Sequence, residues 1–475
     1  MSFWSWLLSL FFGSRQDGSG EDHFRIEEDS RSSDSRQRSA SAADDPRATG
    51  RSTGATTSSG VATSAPSRSA GRKASGRKPL PKQIRLTTFR FIKVRRKRRY
   101  DARSGQGTLV EMSPYVFARP GVMGGYLDLS RDVATDRLEH NELPVLSCPE
   151  EIADWLEMPL GKLAWLVHRF DHHHVAISQS KAHYVYRWIK KRSGGERLIE
   201  APKTALRVVQ QKILREILQK IPPHSAAHGF TVGRSILTNA KPHVGQAIVI
   251  RLDLQNFYAS VSLARVVAIF RSLGYSREAA IWLGRLTTTG LPQDLVQKSW
   301  GEEKWRPYMR RHLPQGASTS PALANLAAFS LDLRLSGLAR RFNARYTRYA
   351  DDITFSGGQD LRGRLRVLLP LVKAIIRSER LKVHPKKLRV LRTHRRQIVA
   401  GVVVNTRINC CRRDYDRLKA ILTNCIRTGP ASQNREQHPA FAQHLLGRIA
   451  HIRQLNAARG DKLQSLFQQI RWDTP

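Results

Sequence analysis

The sequence predicts an α+β protein with a long, largely disordered lead. Three observations carry that reading. From Glu150 onward, apolar residues recur at helical spacing in several separate stretches. Between them lie short β-branched or alternating runs bounded by turn residues. Their irregular alternation excludes a regular doubly wound sheet. Finally, residues 13–80 are mostly Ser, Gly, Ala, Thr, Arg and Asp, which bury too little apolar surface to offset chain entropy.

Taken in order, Phe3 to Phe12 (FWSWLLSLFF) is apolar but too short to span a bilayer. It also lacks the basic start and cleavage site of a signal peptide, which leaves a surface-docking helix or a local apolar plug. Residues 82–99 carry nine basic residues and no acid, interleaved with Phe89, Phe91 and Val94. They read as an arm that grips nucleic acid, or as a solvated tail. Residues 101–145 show no clear period. Ile152, Trp155 and Leu156, then Leu163, Leu166 and Val167, mark helices. Residues 184–202 read as two strands joined by a Ser-Gly-Gly turn. Leu206, Val209, Ile213 and Ile217 share a helical face that ends before Pro222-Pro223. Ala247 to Leu254 is a strand, 321–342 one long apolar helix, and 345–356 a hairpin broken by Asp351-Asp352. Val399 to Val404 is a short strand, and 411–470 is basic and helical. No internal repeat occurs.

The chain has 475 residues and a net charge of +41, with 80 Lys and Arg against 39 acids. Length suggests two or three domains or lobes. The charge favours a polyanionic partner. Residues 1–100 carry +12 (21 basic, 9 acidic) and residues 101–475 carry +29 (59 basic, 30 acidic), so the excess is not confined to a tail. Four cysteines without CxxC spacing argue against a disulfide framework or a zinc site and suit the cytoplasm. His172, His173 and His174 are consecutive and cannot all face one ion in regular structure.

Acids stand out against this background. Asp253 ends one strand, and Asp351-Asp352 sit in a turn. Three such carboxylates converging from separate segments can hold two divalent ions that clamp an in-line phosphoryl displacement. Mg²⁺ suits few carboxylates plus substrate phosphates.

RLDLQNFYASV (251–261), LPQGASTSPALAN (313–325) and RYADDITFSG (348–357) resemble, in order, the palm motifs of reverse transcriptases. Residues 184–202, with Gly194-Gly195-Glu196-Arg197, resemble the fingers motif, and 384–392 with the region of Gly401 resemble the last palm motifs. The likeness covers about residues 150–460. It implies a right-hand polymerase: an extension at 1–145, fingers and palm at 146–400, and a helical, basic thumb at 401–475. The resemblance makes Asp253, Asp351 and Asp352 the metal ligands, assisted by the Leu254 carbonyl, with two Mg²⁺ as cofactor. It makes Tyr258 the gate against a ribonucleotide 2′-hydroxyl, with a core aromatic as the alternative reading. Arg197 and either Lys190 or Lys191 would neutralise the incoming triphosphate, Gln315 and Gly316 would touch nucleotide and template, and Lys387 would assist pyrophosphate departure. Lys387 could equally be a solvated charge, and His384 and Leu388 beside it replace the family's usual Asn and Thr.

Residues 227–245 narrow the resemblance. Asn239-Ala240-Lys241-Pro242-His243, with His228-Gly229-Phe230 before it, is similar to the Asn-Ala-x-x-His element of retron reverse transcriptases. That family implies a structured non-coding RNA serving as template and 2′-hydroxyl primer, deoxynucleotide substrates, and a branched RNA-linked DNA product in antiphage defence. It also implies RNA contacts at Asn239 and His243 and at Val399-Ala400-Gly401, where Val-Thr-Gly is usual. The residues alone leave His243 open as a structural histidine and Asn239 as a cap. No effector domain is recognisable, so a separate effector protein is expected. A group II intron-like or abortive-infection enzyme, or a non-catalytic RNA scaffold, are the alternatives; the intact acid set opposes the last.

Overall fold

The computed structural model describes residues 96–100, 107–111, 113–122, 125–171, 174–191, 194–298 and 303–472. The apolar start at 3–12, the low-complexity stretch at 13–80, most of the basic arm, and His172 and His173 lie outside the described residues. Strands β1 (Arg96–Tyr100) and β2 (Gly107–Glu111) pair antiparallel.

The body organises around one antiparallel sheet of four strands: β7 (Ile248–Asp253), β8 (Ala344–Tyr349), β9 (Asp352–Gly357) and β10 (Arg389–Arg392), in the order β10-β7-β9-β8. Its first strand explains its two faces. Ile248, Ile250 and Leu252 point into the main core with Phe270, Leu323, Leu331, Phe355 and Val372 from the sheet and its covering helices. Val249 points to the opposite face and joins a second core. Arg251 and Asp253 share that second face by strand alternation.

The fingers hairpin pairs β5 (Tyr184–Lys190) with β6 (Glu196–Pro202), as the sequence suggests. Gly194 and Gly195 both take positive φ, 85° and 73°, which the tight turn requires. A small aromatic core braces it: Trp188 meets Trp305 edge-on at 5.1 Å and Tyr308 at 5.9 Å. Beneath it, Gln210 of the helix Thr204–Glu216 donates to Tyr184 Oη and to Leu286 O, both at 2.8 Å.

The thumb holds the helices Arg412–Thr428, Phe441–Leu455 and Ala457–Gln468. Their apolar faces pack with Val399, Val402 and Val404 of the hairpin β11 (Ile398–Val399) and β12 (Val402–Val403). Val249 and Leu391 of the palm sheet join this second core, so thumb and palm share side chains across the expected boundary at 400–401.

Two sequence expectations change. The expected single helix over 321–342 is two, Ser320–Ala327 and Phe329–Arg341, with ψ swinging to 5° at Ala328. No proline or glycine marks the break; the bend lets Leu323 and Leu331 reach one core. The packed body also begins before 146. Short strands β3 (Arg119–Pro120) and β4 (Tyr126–Leu127) and the helix Thr135–His140 precede it, and Leu138 is fully buried. Gly274 accepts this segment closely: its carbonyl bonds Ala134 N at 2.8 Å, and a Cβ there would meet Ala134 O at 2.8 Å. Among the described residues, no helix is long and apolar enough to cross a membrane.

Candidate active site

Backbone register assembles the carboxylates. Asp253 ends β7 directly opposite Asp352, which begins β9. Tyr349 pairs with Asp352, so Ala350 and Asp351 form a two-residue turn between β8 and β9. Ala350 holds φ at 54°, a left-handed conformation that costs a non-glycine residue energy. Leu254 N donates to Asp351 O at 2.9 Å and ties the turn to β7.

A buried network holds this turn from below. Arg348 donates to Asp332 through Nε at 2.8 Å and NH2 at 2.6 Å, and through NH1 to Ala350 O and Asn325 Oδ1, both at 3.0 Å. Tyr346 Oη donates to Asp332 Oδ1 at 2.7 Å, and Asn325 Nδ2 to Gly229 O at 2.8 Å. Both members of the Arg348–Asp332 pair are fully buried. Gly229 lies so near the turn that a Cβ would sit 2.6 Å from Ala350 N. His228 N donates to Arg348 O at 2.8 Å, which places the 228–230 element alongside β8 as a brace.

Cations surround the carboxylates. Lys387 Nζ lies 2.8 Å from Asp253 Oδ2, and Arg251 NH2 lies 2.5 Å from Asp352 Oδ2. Burial and the neighbouring Asp253 push Asp351 up to about 6. Burial also raises Asp352, against the pull of Arg251. Burial, then Arg197 and Lys387, lower Lys191, while Asp253 and Asp351 oppose that shift. Lys191, at the fingers end, therefore lies within electrostatic reach of the carboxylates. Lys190 lies within β5 opposite Glu196.

Tyr258 is partly buried against Phe257, with ring centroids 5.8 Å apart. Burial raises its hydroxyl, and Asp351 raises it further, so it stays neutral. Gln315 and Gly316 attach to the fingers rather than standing free. Glu200 N donates to Gln315 O at 2.9 Å, and a Cβ on Gly316, whose φ is 141°, would sit 3.0 Å from Glu200 O. Glu200 is itself buried against His312, with 3.0 Å between Nε2 and Oε2. Burial lowers His312, but Glu200 overrides it and the net shift is upward.

The expected RNA contacts divide. Asn239 and His243 are buried, so both side chains pack inside the fold rather than at its surface. His243 bonds Ser356 Oγ through Nδ1 at 2.6 Å and Thr347 Oγ1 through Nε2 at 2.7 Å, fastening its segment to β8 and β9. Burial drives it down to about 3, so it remains neutral. Val399 is likewise a core residue, not a contact. Ala400 and Gly401, with φ of 47° and 86°, form the β11–β12 turn, and Gly401 is exposed. His174 binds the His168 carbonyl through Nδ1 at 3.0 Å, which accounts for it without a metal.

Sequence reasoning gave no role to Arg348, Asp332, Asn325 or Arg251, and it named Gly229 only within the retron-like element. A signal existed for Asp332: it lies on the stripe of Leu331, Leu335 and Ala339, where an unpaired acid would be expensive.

Three carboxylates at one sheet end, supplemented by backbone carbonyls, suit a hard divalent cation. Among the described residues no three His, Cys, Asp or Glu side chains form a ready cage. Lys387 and Arg251 engage two of the three acids.

Residues 189–445 match the family model described as reverse transcriptase (RNA-dependent DNA polymerase). The Retron Mx65 reverse transcriptase of Myxococcus xanthus is 39% identical over 336 residues, covering 70% of this chain and 74% of that protein. The Retron Mx162 reverse transcriptase of the same organism is 40% identical over 57% of this chain and 56% of its own length. The Retron Ec86 reverse transcriptase of Escherichia coli is 30% identical over 60% of this chain and 80% of its own length. Family chemistry of this kind depends on divalent metal, an RNA template and deoxynucleotides. The carboxylate turn and its fingers cations thus sit within a matched sequence, and the chain belongs to the retron-type reverse transcriptases, RNA-directed DNA polymerases.

Proposed function

We propose that the protein uses one structured non-coding RNA as both template and 2′-hydroxyl primer, making branched RNA-linked single-stranded DNA in the cytoplasm, within an antiphage system that includes a separate effector protein. The observation that carries the chemistry is the register pair Asp253–Asp352 with Asp351 in the adjoining turn. The retron relatives support the priming mode.

Asp253, Asp351, Asp352 and the Leu254 carbonyl would hold two Mg²⁺. When bound, these supply the clamp on the attacking and leaving oxygens. The chain's own residues do the rest. Lys191, rather than Lys190, joins Arg197 in gripping the triphosphate, because Lys191 lies within electrostatic reach of Asp253 and Asp351. Tyr258 fills the space a ribonucleotide 2′-hydroxyl would need. Lys387, released from Asp253, is placed to give a proton to departing pyrophosphate. Gln315 and Gly316 position nucleotide and template from a loop locked to β6. Ala400 and Gly401 present backbone to RNA at the thumb base. The basic arm at 82–99 adds affinity through phosphate neutralisation, so deleting residues 1–100 should flatten the salt dependence of RNA binding.

DNA isolated from cells producing the chain with its RNA tests the priming mode. The expected product keeps an RNA branch that a 2′,5′-debranching enzyme removes. Linear DNA with an ordinary 3′ junction would overturn it in favour of a group II intron-like or abortive-infection enzyme.

A further inference from the structure

The loop at 310–316 is rooted in the palm by its backbone. Leu313 N donates to Val261 O and Leu263 N to Arg311 O, both at 3.1 Å, which ties the loop to the segment that follows Tyr258. His312 exchanges backbone bonds with Thr289, N to O at 2.9 Å in both directions. Across from this loop stands β6 of the fingers, which carries Arg197 and Glu200.

The His312 side chain crosses from one to the other. Its Nε2 lies 3.1 and 3.0 Å from the two Glu200 carboxylate oxygens, and its Nδ1 donates to Arg310 O at 2.6 Å. Glu200 Oε2 also accepts from Gln315 N at 3.3 Å. Both partners of the ring are acceptors, so both ring nitrogens carry protons and the ring is an imidazolium. Burial works against that charge, and Arg311 repels it, but Glu200 and the Arg310 carbonyl outweigh both. Tyr308 meets the ring edge-on, with centroids 5.4 Å apart. Glu200 is 0% exposed and His312 1%. Desolvation offsets much of the attraction in a buried ion pair, so the pair adds little net stability over apolar side chains of the same size. What it fixes here is distance. Glu200 N and the close approach of Gly316 to Glu200 O complete a seam between loop and strand.

We propose that His312 is a positioning residue for the incoming nucleotide. Its ring, bonded to Glu200, sets the spacing between β6, with Arg197, and the loop that presents Gln315 and Gly316. The inference rests on the assignment of Arg197, Gln315 and Gly316 to the nucleotide site. A ring so deeply buried does not meet the nucleotide itself, so its loss acts on nucleotide affinity through the loop.

Steady-state incorporation by the full chain, on a homopolymer RNA template with a DNA primer and Mg²⁺, tests this. The native chain is compared with His312→Gln, Glu200→Gln and Arg197→Ala, per folded molecule. The first variant keeps a donor toward Glu200 without the charge, and the second keeps an acceptor toward His312. Each should raise the deoxynucleotide KM about tenfold and change kcat by less than about threefold. The two effects should not multiply in the double variant, because both break one contact. A lower Tm with native KM in both variants would make the pair merely structural and overturn the inference. If Arg197→Ala raises KM while both pair variants leave it unchanged, the inference alone fails. If Arg197→Ala leaves KM unchanged, the nucleotide-site assignment beneath it fails. In the native chain, ¹⁵N shifts of His312 should show both ring nitrogens protonated at neutral pH. A neutral ring would overturn the inference whether or not the variants fold.

Discussion

Two aspartate–arginine pairs support the palm, and they differ in kind. Asp332–Arg348 is fully buried and doubly bonded, and every part of Arg348 that leaves Asp332 is spent on Asn325 and Ala350. Asp352–Arg251 is a single contact with side chains 21% and 29% exposed, and the Arg251 Nε is left without a partner. The first pair fixes the backbone of the Ala350–Asp351 turn. The second is exchangeable, as a side chain beside the proposed metal site needs to be. Burial thus separates scaffold from reagent using the same two residue types.

The largest effect expected from breaking this contrast is at the scaffold. Asp332→Ala should cost about 3–5 kcal/mol in urea unfolding, because it leaves Arg348 charged and buried. Gly229→Ala should cost about 1–3 kcal/mol by driving a Cβ into Ala350 N. It should lower incorporation more than that loss of stability explains, which a single-turnover assay on folded protein would read. His243→Ala should cost about 1–3 kcal/mol through its two lost partners, while the salt slope of RNA binding stays unchanged. A flattened slope would restore His243 as an RNA contact.

Smaller effects belong to the reagent side. Asp351 sits at about 6, above its ordinary range, so its ionisation opposes folding. Its contribution is fully present at low pH and is lost as pH rises through 6. Without divalent ions, Asp351→Asn should therefore raise Tm by about 1–4 °C at pH 7.5 and leave it nearly unchanged at pH 4. Arg251→Met should change stability in the metal-free protein by at most about 1 kcal/mol.

Much of this was legible in the residues. The hairpins at 184–202 and 345–356, the strand ending at Asp253 and the helical thumb follow from period and turn chemistry. Asp253, Asp351 and Asp352 stand out as acids at strand ends in a basic chain. What escaped reading depends on contacts distant in sequence. His243 looks like a recognition residue, but its partners Thr347 and Ser356 lie over a hundred positions away. Gly229 reads only as part of the retron-like element, and its close approach to Ala350 is not visible until the fold brings the turn against it. The break at Ala328 has no local marker, because tertiary packing sets it. The segment at 113–145 lacks a period because short pieces, rather than a whole helix face, bury single residues such as Leu138.

On the proposed function, Asp351 and Asp352, carried on the braced turn, perform the chemistry and do not merely shape the cleft. Deoxynucleotide incorporation on the cognate RNA with Mg²⁺, compared between the native chain and the Asp351→Asn/Asp352→Asn double variant at matched RNA occupancy, tests it most directly. Extension by the native chain and none by the variant is expected, with RNA affinity retained and the variant folded with a Tm no lower than the native chain's. Extension by the double variant at the native rate would contradict it.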